Sequence, residues 1–283
     1  MPELPEVETV RRGLASHLNS FVIQQVEILR ERAVASPGGV NAFCNGLRGQ
    51  SVGEWTRRGK YLMASLHQQG THRTSGVWGV HLRMTGQFQW HDEPSDPCKH
   101  TRARFWNEQG QELRFVDMRS FGEMWWVPNG TPIDSVITGL KRLGPEPFSD
   151  AFSASYLQRE LKGSTRSIKA ALLDQSLVAG TGNIYADESL FVAGIAPHTP
   201  AGRLSRQQLE KLRESLVHVL EISIGVGGTT FSDFRDLEGV NGNYGGQAAV
   251  YRRTGKDCLT CGTPIERMKL AGRSTHWCPT CQS

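Results

Sequence analysis

Four of the six cysteines lie within the last 26 residues, in the pattern Cys258-x2-Cys261-x16-Cys278-x2-Cys281. Two CxxC pairs at this spacing are typical of a tetrahedral zinc site. A segment this short buries too little apolar surface to fold alone, so metal binding and folding would be coupled. Disulfide pairing is the alternative, and it is disfavoured because nothing in the sequence indicates an oxidising compartment. The pattern therefore predicts one structural zinc.

The chain between the two cysteine pairs predicts a β-hairpin. Ile265–Leu270 and Ser274–Trp277 would form its strands, and Ala271-Gly272-Arg273 would join them, with Arg273 near the tip. His276 is not expected to bind the metal, since four cysteines already complete the tetrahedron.

The composition fits a soluble globular protein with one large or two ordinary domains, because the chain has 283 residues, 38% hydrophobic and 21% charged. No run of about 18 apolar residues is present, so no membrane span is expected, and no signal peptide is expected before the first helix. The formal charge of +4 and the pI near 8.8 permit nucleic-acid binding without requiring it. The two remaining cysteines, Cys44 and Cys98, are interpreted as plain thiols.

Changes in hydrophobic pattern divide the chain into regions. Residues 20–128 contain short runs rich in β-branched and aromatic residues, which predicts a sandwich or barrel. Residues 141–152 hold two prolines and are interpreted as a linker, whereas residues 153–226 have helical periodicity. Residues 225–249 are rich in glycine and polar residues, so we expect a long loop there. The predicted divisions are 1–140, the linker 141–152, 153–249 and the finger 250–283.

Capping residues indicate where helices begin in the helical region. Asn183 follows Gly180-Thr181-Gly182 and is a good N-cap, and Ser205 with Gln208 forms a capping box before the next helix. A glycine-rich turn that opens a helix presents unpaired backbone amides, which suits a phosphate.

The first residues combine a reactive amine with an acid. If Met1 is removed, the chain begins with Pro2, whose secondary amine lies beside the carboxylate of Glu3. Such an amine can attack an electrophilic sugar carbon and form an iminium. An α-amino group has an ordinary pKa of about 7.7–8.0, so a useful fraction is uncharged at neutral pH. A helix is predicted directly after it, from Pro5 and from apolar residues at helical spacing: Val7, Val10, Leu14 and Leu18.

The segment Pro2-Glu3-Leu4-Pro5-Glu6-Val7-Glu8-Thr9 resembles the start of the bacterial formamidopyrimidine-DNA glycosylases, which excise oxidised purines. The resemblance covers almost the whole chain in the family's order, and Lys169–Phe191 is similar to the family's helix–two-turns–helix element. The other matching segments are Arg57–Tyr61, His81–Gly86, Lys99–Arg102, Asp117–Gly122 and the cysteine hairpin. The resemblance implies an α+β multidomain fold, with an N-terminal β-sandwich carrying a leading helix, a C-terminal helix–two-turns–helix domain and a zinc β-hairpin finger.

The resemblance implies catalytic roles for four residues. Pro2 would attack C1′ of the damaged nucleotide, and Glu3 would protonate the sugar ring oxygen or shuttle protons. Lys60 would position the backbone and donate a proton to a leaving group. Arg273 would bind phosphates around the lesion and assist the last elimination.

The resemblance also implies DNA-binding roles. Met84 would fill the gap left by an extruded base, Phe121 would wedge beside the estranged base, and Arg119 would contact that base. The residues implied in further contacts to the DNA backbone are His100, Arg166, Lys169 and Asn183.

Three positions measure how closely the chain follows the family. Ser120 stands where relatives usually have a second basic residue, and Thr165 stands where some have a base. Leu4 stands where the endonuclease VIII-like branch, which acts on oxidised pyrimidines, typically has glycine. That branch is one alternative, and a non-catalytic zinc-ribbon DNA-binding protein is the other.

The resemblance thus implies a bifunctional DNA glycosylase and AP lyase. The base would be flipped out, because its glycosidic bond is unreachable inside the stack, and β- and then δ-elimination would cut both sides of the lesion. The expected partner is double-stranded DNA with damaged bases, without a membrane, and the protein is expected to be a monomer. The expected location is a bacterial cytoplasm, in association with the nucleoid.

Overall fold

The computed structural model describes residues 1–19, 21–71, 73–93, 95–229, 237, 239 and 242–283. These residues form two compact units, Met1–Lys141 with Gly227–Gly242 and Arg142–Val226 with Asn243–Ser283. Much of the predicted loop at 225–249 lies outside the described residues.

The first unit is built mainly from strands. Its helices are α1 (Leu4–His17), α2 (Gly39–Leu47) and α3 (Ile133–Val136). Its strands are β1 (Gln25–Ile28), β2 (Gln50–Arg58), β3 (Tyr61–Gln68), β4 (Thr74–His81), β5 (Gly86–His91), β6 (Thr101–Trp106), β7 (Glu112–Asp117) and β8 (Glu123–Pro128).

The eight strands form two four-stranded antiparallel sheets, in the orders β1-β6-β7-β5 and β2-β3-β4-β8. Aromatic side chains fill the space between the sheets. The ring centroids of Trp78 in β4 and Phe105 in β6 are 4.6 Å apart, and those of Trp55 and Trp78 are 5.5 Å apart. All three side chains are buried. The predicted β-sandwich is confirmed.

Helix α1 covers this core with the face that the sequence predicts. Its apolar residues Val7, Val10 and Leu14 are buried, as is Leu18 just after the helix. Pro5 lies in the first turn, where the missing N–H would have had no helical partner.

Some boundaries in this unit differ from the prediction. Helix α2 lies inside the stretch predicted as β. Strand β4 ends at His81, so Met84, which the sequence places in the stretch predicted as β, lies in a turn. The segment Gly227–Gly242 groups with the first unit rather than with the helices. Within this unit, the N–H of Thr229 donates to Glu6.

The second unit is helical and ends in a two-stranded hairpin. Its helices are α4 (Ala154–Leu161), α5 (Ile168–Leu172), α6 (Asn183–Ala193) and α7 (Arg206–Gly225), and its strands are β9 (Glu266–Leu270) and β10 (Arg273–Trp277). The capping box is confirmed at α7, where Gln208 N donates to Ser205 Oγ at 3.2 Å and Ser205 N donates to Gln208 Oε1 at 2.9 Å. In the described part of the chain, no helix combines the length and hydropathy needed to cross a bilayer.

Candidate functional site

The start of α1 holds Pro2 and Glu3 in a buried position. Both are buried, whereas Met1 is 49% exposed. Glu6 fixes this end, because its carboxylate accepts from Glu3 N at 2.8 Å and from Thr229 N at 2.8 Å. Glu6 was not among the predicted site residues. The sequence does contain a pattern that indicates this role of Glu6, because an acid three residues after an N-cap residue is typical of a capping box.

Lys60 lies in the turn between β2 and β3 and is buried. Arg57 connects this turn to α1, since its Nη1 donates to Gly59 O at 2.9 Å and its Nε donates to Glu8 Oε2 at 3.4 Å. Burial alone would raise the pKa of Glu8, but hydrogen bonds and charge from Arg11, with further help from Arg12 and Arg57, hold it below its ordinary value. The ionised carboxylate of Glu8 therefore joins α1, which begins just after Pro2 and Glu3, to the turn that carries Lys60.

Met84 stands in a tight turn after β4 and is 38% exposed. Arg83, just before it, has a left-handed backbone with φ of 54°. The N–H of Arg83 donates to His81 Nδ1 at 2.9 Å, and its guanidinium donates to Glu123 Oε2 at 3.0 and 2.5 Å. These bonds hold the backbone of Arg83 at the start of the turn that carries Met84.

His81, which accepts the Arg83 N–H at this turn, is a residue that the sequence prediction did not single out. Burial, together with the nearby charges of Arg83 and Lys60, lowers the pKa of His81 to about 3. The imidazole is therefore neutral at physiological pH, which leaves Nδ1 able to accept from the backbone. Tyr61 packs edge-on against this ring, with centroids 4.6 Å apart.

The segment from Asp117 to Gly122 is ordered by one buried carboxylate. Asp117 accepts from the N–H of Gly122 at 2.7 Å and of Arg119 at 3.1 Å. The hydroxyl of Thr85 also donates to Asp117, and it accepts from Arg119 N at 3.0 Å. Because Thr85 follows Met84 directly, Asp117 brings the two predicted wedge segments together.

Phe121 lies 37% exposed at the end of this segment. Two guanidinium groups lie over its ring, that of Arg119 at 4.9 Å and that of Arg32 at 5.3 Å from the centroid. Arg32 is a further residue that the sequence prediction missed, and no local motif marks it. Ser120, between Arg119 and Phe121, has φ of 53°.

His100 lies beside the same segment. Its carbonyl accepts from Asp117 N at 2.9 Å, and its Nδ1 lies 3.5 Å from Arg102 Nη2. The structure thus brings His100, Met84, Arg119 and Phe121 to one region of the first unit.

In the second unit, a glycine-rich turn leads into α6. Gln175 braces the turn, since its Oε1 accepts from Gly180 N at 2.9 Å and its Nε2 donates to Thr181 O at 2.8 Å. The N-cap is Gly182 rather than the predicted Asn183. Asn183 is instead the first helical residue, and its Nδ2 donates to Ser274 O in the hairpin at 2.9 Å.

The two predicted basic contacts near α5 differ in exposure. Arg166 is exposed and donates to Asp174 Oδ2 at 2.8 Å. Lys169 is fully buried, and its Nζ contacts Asp187 Oδ1 at 2.6 Å, Ser274 O at 2.8 Å and Thr275 Oγ1 at 2.9 Å. The Lys169 ammonium is therefore engaged inside the protein, by an ion pair with Asp187 and by hydrogen bonds to Ser274 and Thr275. In this arrangement Lys169 does not present its charge to a phosphate.

The four predicted zinc ligands converge. Their sulfur atoms all lie within 4.8 Å of one another, with Cys258 and Cys281 at 3.9 Å and Cys261 and Cys278 at 3.5 Å. Zinc–sulfur bonds of about 2.3 Å in a tetrahedron require sulfur atoms about 3.8 Å apart. The backbone N–H groups of Thr260 and Cys281 also point at thiolate sulfurs, at 3.5 and 3.4 Å. The donor set therefore fits zinc, and the site holds one structural zinc ion.

The hairpin above these cysteines is formed as predicted. Strands β9 and β10 pair with Arg273 opposite Leu270, and Ala271 and Gly272 form the turn with φ of 46° and 76°. Arg273 is exposed at this tip. His276 contacts Asp187 rather than the cysteines, with its Nδ1 at 3.1 Å from Oδ2.

Comparison with known proteins covers all of these parts. Residues 1–124 match the N-terminal domain of formamidopyrimidine-DNA glycosylase, residues 143–235 match its H2TH domain, and residues 255–283 match the zinc finger found in FPG and IleRS. A formamidopyrimidine-DNA glycosylase from Parasynechococcus marenigrum (strain WH8102) is 71% identical over 282 residues, covering 100% of both chains.

Solved structures are similar over the same length. The MutM (Fpg) protein from Thermus thermophilus is 41% identical, with a TM-score of 0.86 and coverage of 99% of this chain and 98% of that one. A Lactococcus lactis FPG variant, crystallised with Fapy-dG-containing DNA, is 33% identical, with a TM-score of 0.90 and full coverage of both chains. Since a zinc-ribbon protein would account only for the finger, and these relatives match from the first residue to the last, the chain belongs to the formamidopyrimidine-DNA glycosylase family.

Proposed function

We propose that this chain excises oxidised purines, formamidopyrimidine and 8-oxoguanine, from double-stranded DNA and then cuts the strand as an AP lyase. The observation that carries the proposal is the start of α1. Pro2 and Glu3 are held together in a buried position by Glu6, in a chain whose relatives are formamidopyrimidine-DNA glycosylases.

The proposed chemistry begins at the amine that the loss of Met1 exposes. The Pro2 nitrogen attacks C1′ of the damaged nucleotide, the glycosidic bond breaks and the base leaves with its bonding electrons. Glu3 protonates the sugar ring oxygen as the ring opens to the iminium. The iminium then acidifies C2′, so loss of a C2′ proton expels the 3′ phosphate, and a second elimination expels the 5′ phosphate.

The residues around this amine have supporting roles in the proposal. Lys60 is close to the reacting strand as a donor to a leaving phosphate, on a turn that Arg57 ties to α1. Arg273 assists the last elimination from the finger tip. His100, Arg166 and Asn183 bind the DNA backbone, where phosphate contacts fix register rather than sequence.

Met84, Arg119 and Phe121 act before the chemistry, when the base leaves the stack. Met84 and Phe121 are exposed apolar side chains on segments that Asp117 holds in place. An unbranched thioether fills an irregular gap well, and an aromatic ring can wedge between bases. The guanidinium of Arg119 contacts the base on the opposite strand.

Covalent trapping tests the nucleophile. Borohydride should trap the enzyme on a duplex with one 8-oxoguanine, and a form with residues added before Met1 should trap less than about 1% as much, because its Pro2 nitrogen is in a peptide bond. Pro5→Ala is the matched control and should trap normally. Undiminished trapping by the blocked form would refute the assignment of Pro2.

A second experiment separates base extrusion from chemistry. Met84→Ala should lose about 10- to 100-fold in activity on a paired lesion, since flipping costs a few kcal/mol. It should keep most of its activity on a preformed abasic site, where no base needs to leave the stack. Met118→Ala removes a neighbouring methionine that is 49% exposed and should be neutral. Equal losses of Met84→Ala on both substrates would contradict the wedge role.

We also propose that residues 1–140 carry the chemistry, that the linker 141–152 joins them to the DNA-binding region 153–249, and that residues 250–283 are the finger. The enzyme is proposed to act as a monomer on nucleoid DNA in a bacterial cytoplasm. Gel filtration tests the monomer, and co-sedimentation with isolated nucleoids tests the location.

A further inference from the structure

The carboxylate of Asp187 in α6 lies at the centre of a buried ionic cluster in the second unit. Asp187 is 1% exposed, Lys169 is 0% and His276 is 5%. Asp187 Oδ1 contacts Lys169 Nζ at 2.6 Å, and its Oδ2 accepts from His276 N at 2.9 Å. The cluster therefore joins α5 and α6 to strand β10 of the finger.

The same cluster reaches the residue next to Arg273. The carbonyl of Ser274 accepts from Lys169 Nζ at 2.8 Å and from Asn183 Nδ2 at 2.9 Å. This one carbonyl group, which directly follows Arg273 in the chain, links the start of β10 to Asn183, the first residue of α6. The positions of Arg273 and Asn183 relative to each other are thereby fixed.

Zinc alone does not explain how the tip is held. The metal fixes the cysteines at the base of the hairpin, and Arg273 precedes Cys278 by five residues along an extended strand. At about 3.3 Å per residue, this places the tip about 16 Å from the metal. The finger's buried apolar core is small, comprising Val250, Cys258, Ile265 and Cys278. The contacts that Lys169 and Asp187 make with Ser274, Thr275 and His276 lie between the metal site and the tip. There they control the direction of β10.

We propose that Asp187 and Lys169 are positioning residues, which set the finger tip so that Arg273 and Asn183 grip the phosphates of one DNA strand as a unit. This inference rests on the proposed function, because it takes Arg273 as a phosphate contact. It replaces the expected phosphate contact of Lys169 with a role inside the protein. Lys169 neutralises Asp187 and orients the Ser274 carbonyl, and neither residue touches DNA.

A double-mutant cycle on DNA affinity tests the proposal. The probe is a duplex with a tetrahydrofuran abasic-site analogue, and the variants are Asp187→Asn, Arg273→Ala and both together. Arg273→Ala should weaken binding about 10-fold and reduce the slope of log affinity against log salt by about 0.9, the value for one phosphate. Asp187→Asn should keep one zinc per chain and produce the same two changes. The double variant should be no weaker than Arg273→Ala, because residues that act through one contact are not additive.

A matched control separates positioning from general stability. Glu188→Gln changes the next residue of α6, which is also buried and accepts from the N–H groups of Ala249, Val250 and Tyr251. It should leave the salt slope unchanged. If Asp187→Asn loses its zinc, the double variant Lys169→Met/Asp187→Asn is used instead. It replaces both members of the buried ion pair by neutral side chains, a change that often leaves stability unaltered. This double variant still lacks the Lys169 donor to the Ser274 carbonyl and keeps only the Asn183 donor, so it should show the reduced slope.

The outcomes separate the phosphate contact of Arg273, which belongs to the proposed function, from the positioning role of Asp187 and Lys169. If Arg273→Ala binds like the unmodified protein, its phosphate contact in the proposed function is wrong. If Arg273→Ala weakens binding but Asp187→Asn does not, or if the two losses add, the positioning role is overturned. The same holds if Glu188→Gln reduces the slope as much as Asp187→Asn.

Discussion

The two units present the exposed side chains that are predicted to contact DNA by different means. In the first unit, the Met84 turn and the Phe121 segment extend from a sandwich with a large aromatic core, and the carboxyl group of Asp117 holds both with backbone and hydroxyl donors. In the second, Arg273 extends from a hairpin with a small core, and a metal site and a buried ion pair hold it.

The difference shows how the size of a core decides which interactions support a functional side chain. A loop on a rigid sandwich needs only its polar groups satisfied. A hairpin that buries little apolar surface must draw its folding free energy from metal binding. An ion pair at its side then adds direction, since a buried pair is more attested as a means of specifying geometry than of adding stability.

Removing a zinc ligand should have the largest effect. Cys278→Ser should bind no zinc and no DNA at physiological salt, because structural zinc supplies about 10–16 kcal/mol in small fingers. Six of the seven tryptophans lie in the first unit, so the near-UV circular dichroism should be almost unchanged. Metal analysis and fluorescence anisotropy measure the two losses.

The control for this variant is Cys98→Ser, which removes an exposed thiol of the first unit and should bind zinc and DNA normally. If Cys278→Ser retains DNA binding, then the finger does not depend on its metal and the contrast between the units is lost.

Removing the carboxylate of the first unit should have an intermediate effect. Asp117→Ala leaves the N–H of the buried Gly122 without its acceptor and frees Thr85 and Arg119. We expect the free energy of unfolding to fall by about 2–4 kcal/mol, with activity lost on paired lesions more than on abasic sites. Urea denaturation measures the stability, with the exposed-residue variant Glu93→Ala as control. A change below about 0.5 kcal/mol would mean that the wedge segments do not rely on this carboxylate.

The buried His81 should have the smallest effect, visible as a pH dependence. Its pKa is lowered to about 3 in the folded chain and is about 6.5 when unfolded. The unfolded state therefore binds the proton first, so stability falls as pH drops below about 6.5. The expected loss between pH 7 and pH 5 is about 2 kcal/mol.

His81→Asn keeps an acceptor near Arg83 N but cannot be protonated in this range. The stability difference between pH 7 and pH 5 should therefore be about 2 kcal/mol smaller in the variant, as measured by urea midpoints at both values. An identical pH dependence in the two proteins would show that His81 is not the group responsible.

The sequence predicted the elements whose signals are local. The four cysteines, the capping box at Ser205 and the apolar face of α1 each follow from spacing within a few turns, and all are confirmed. Helix α2 also had a local signal, since Val40, Phe43 and Leu47 repeat at helical spacing. The segment also contains weak helix formers and is surrounded by strands, and these two features favoured the prediction of β structure.

The rest depended on contacts between distant parts of the chain. Nothing near Lys169 indicates that it is fully buried, because its partners Ser274 and Thr275 are 105 and 106 positions away in the hairpin. Asn183 is a good N-cap by type, yet its side chain is used by Ser274 and Gly182 takes the cap. Likewise Arg32 meets Phe121 only through the fold.

The left-handed backbone positions have a consequence for the evolution of the protein. Among the described residues, the non-glycine residues with positive φ are Arg83, Ser120, Arg252 and Ala271. Three of these lie within two residues of Met84, Phe121 or Arg273. A left-handed conformation costs an L-residue about 1–2 kcal/mol, and such strain collects at functional sites. Selection for heat resistance alone would replace these residues by glycine, so the exposed tips are where thermal tolerance and repair activity compete.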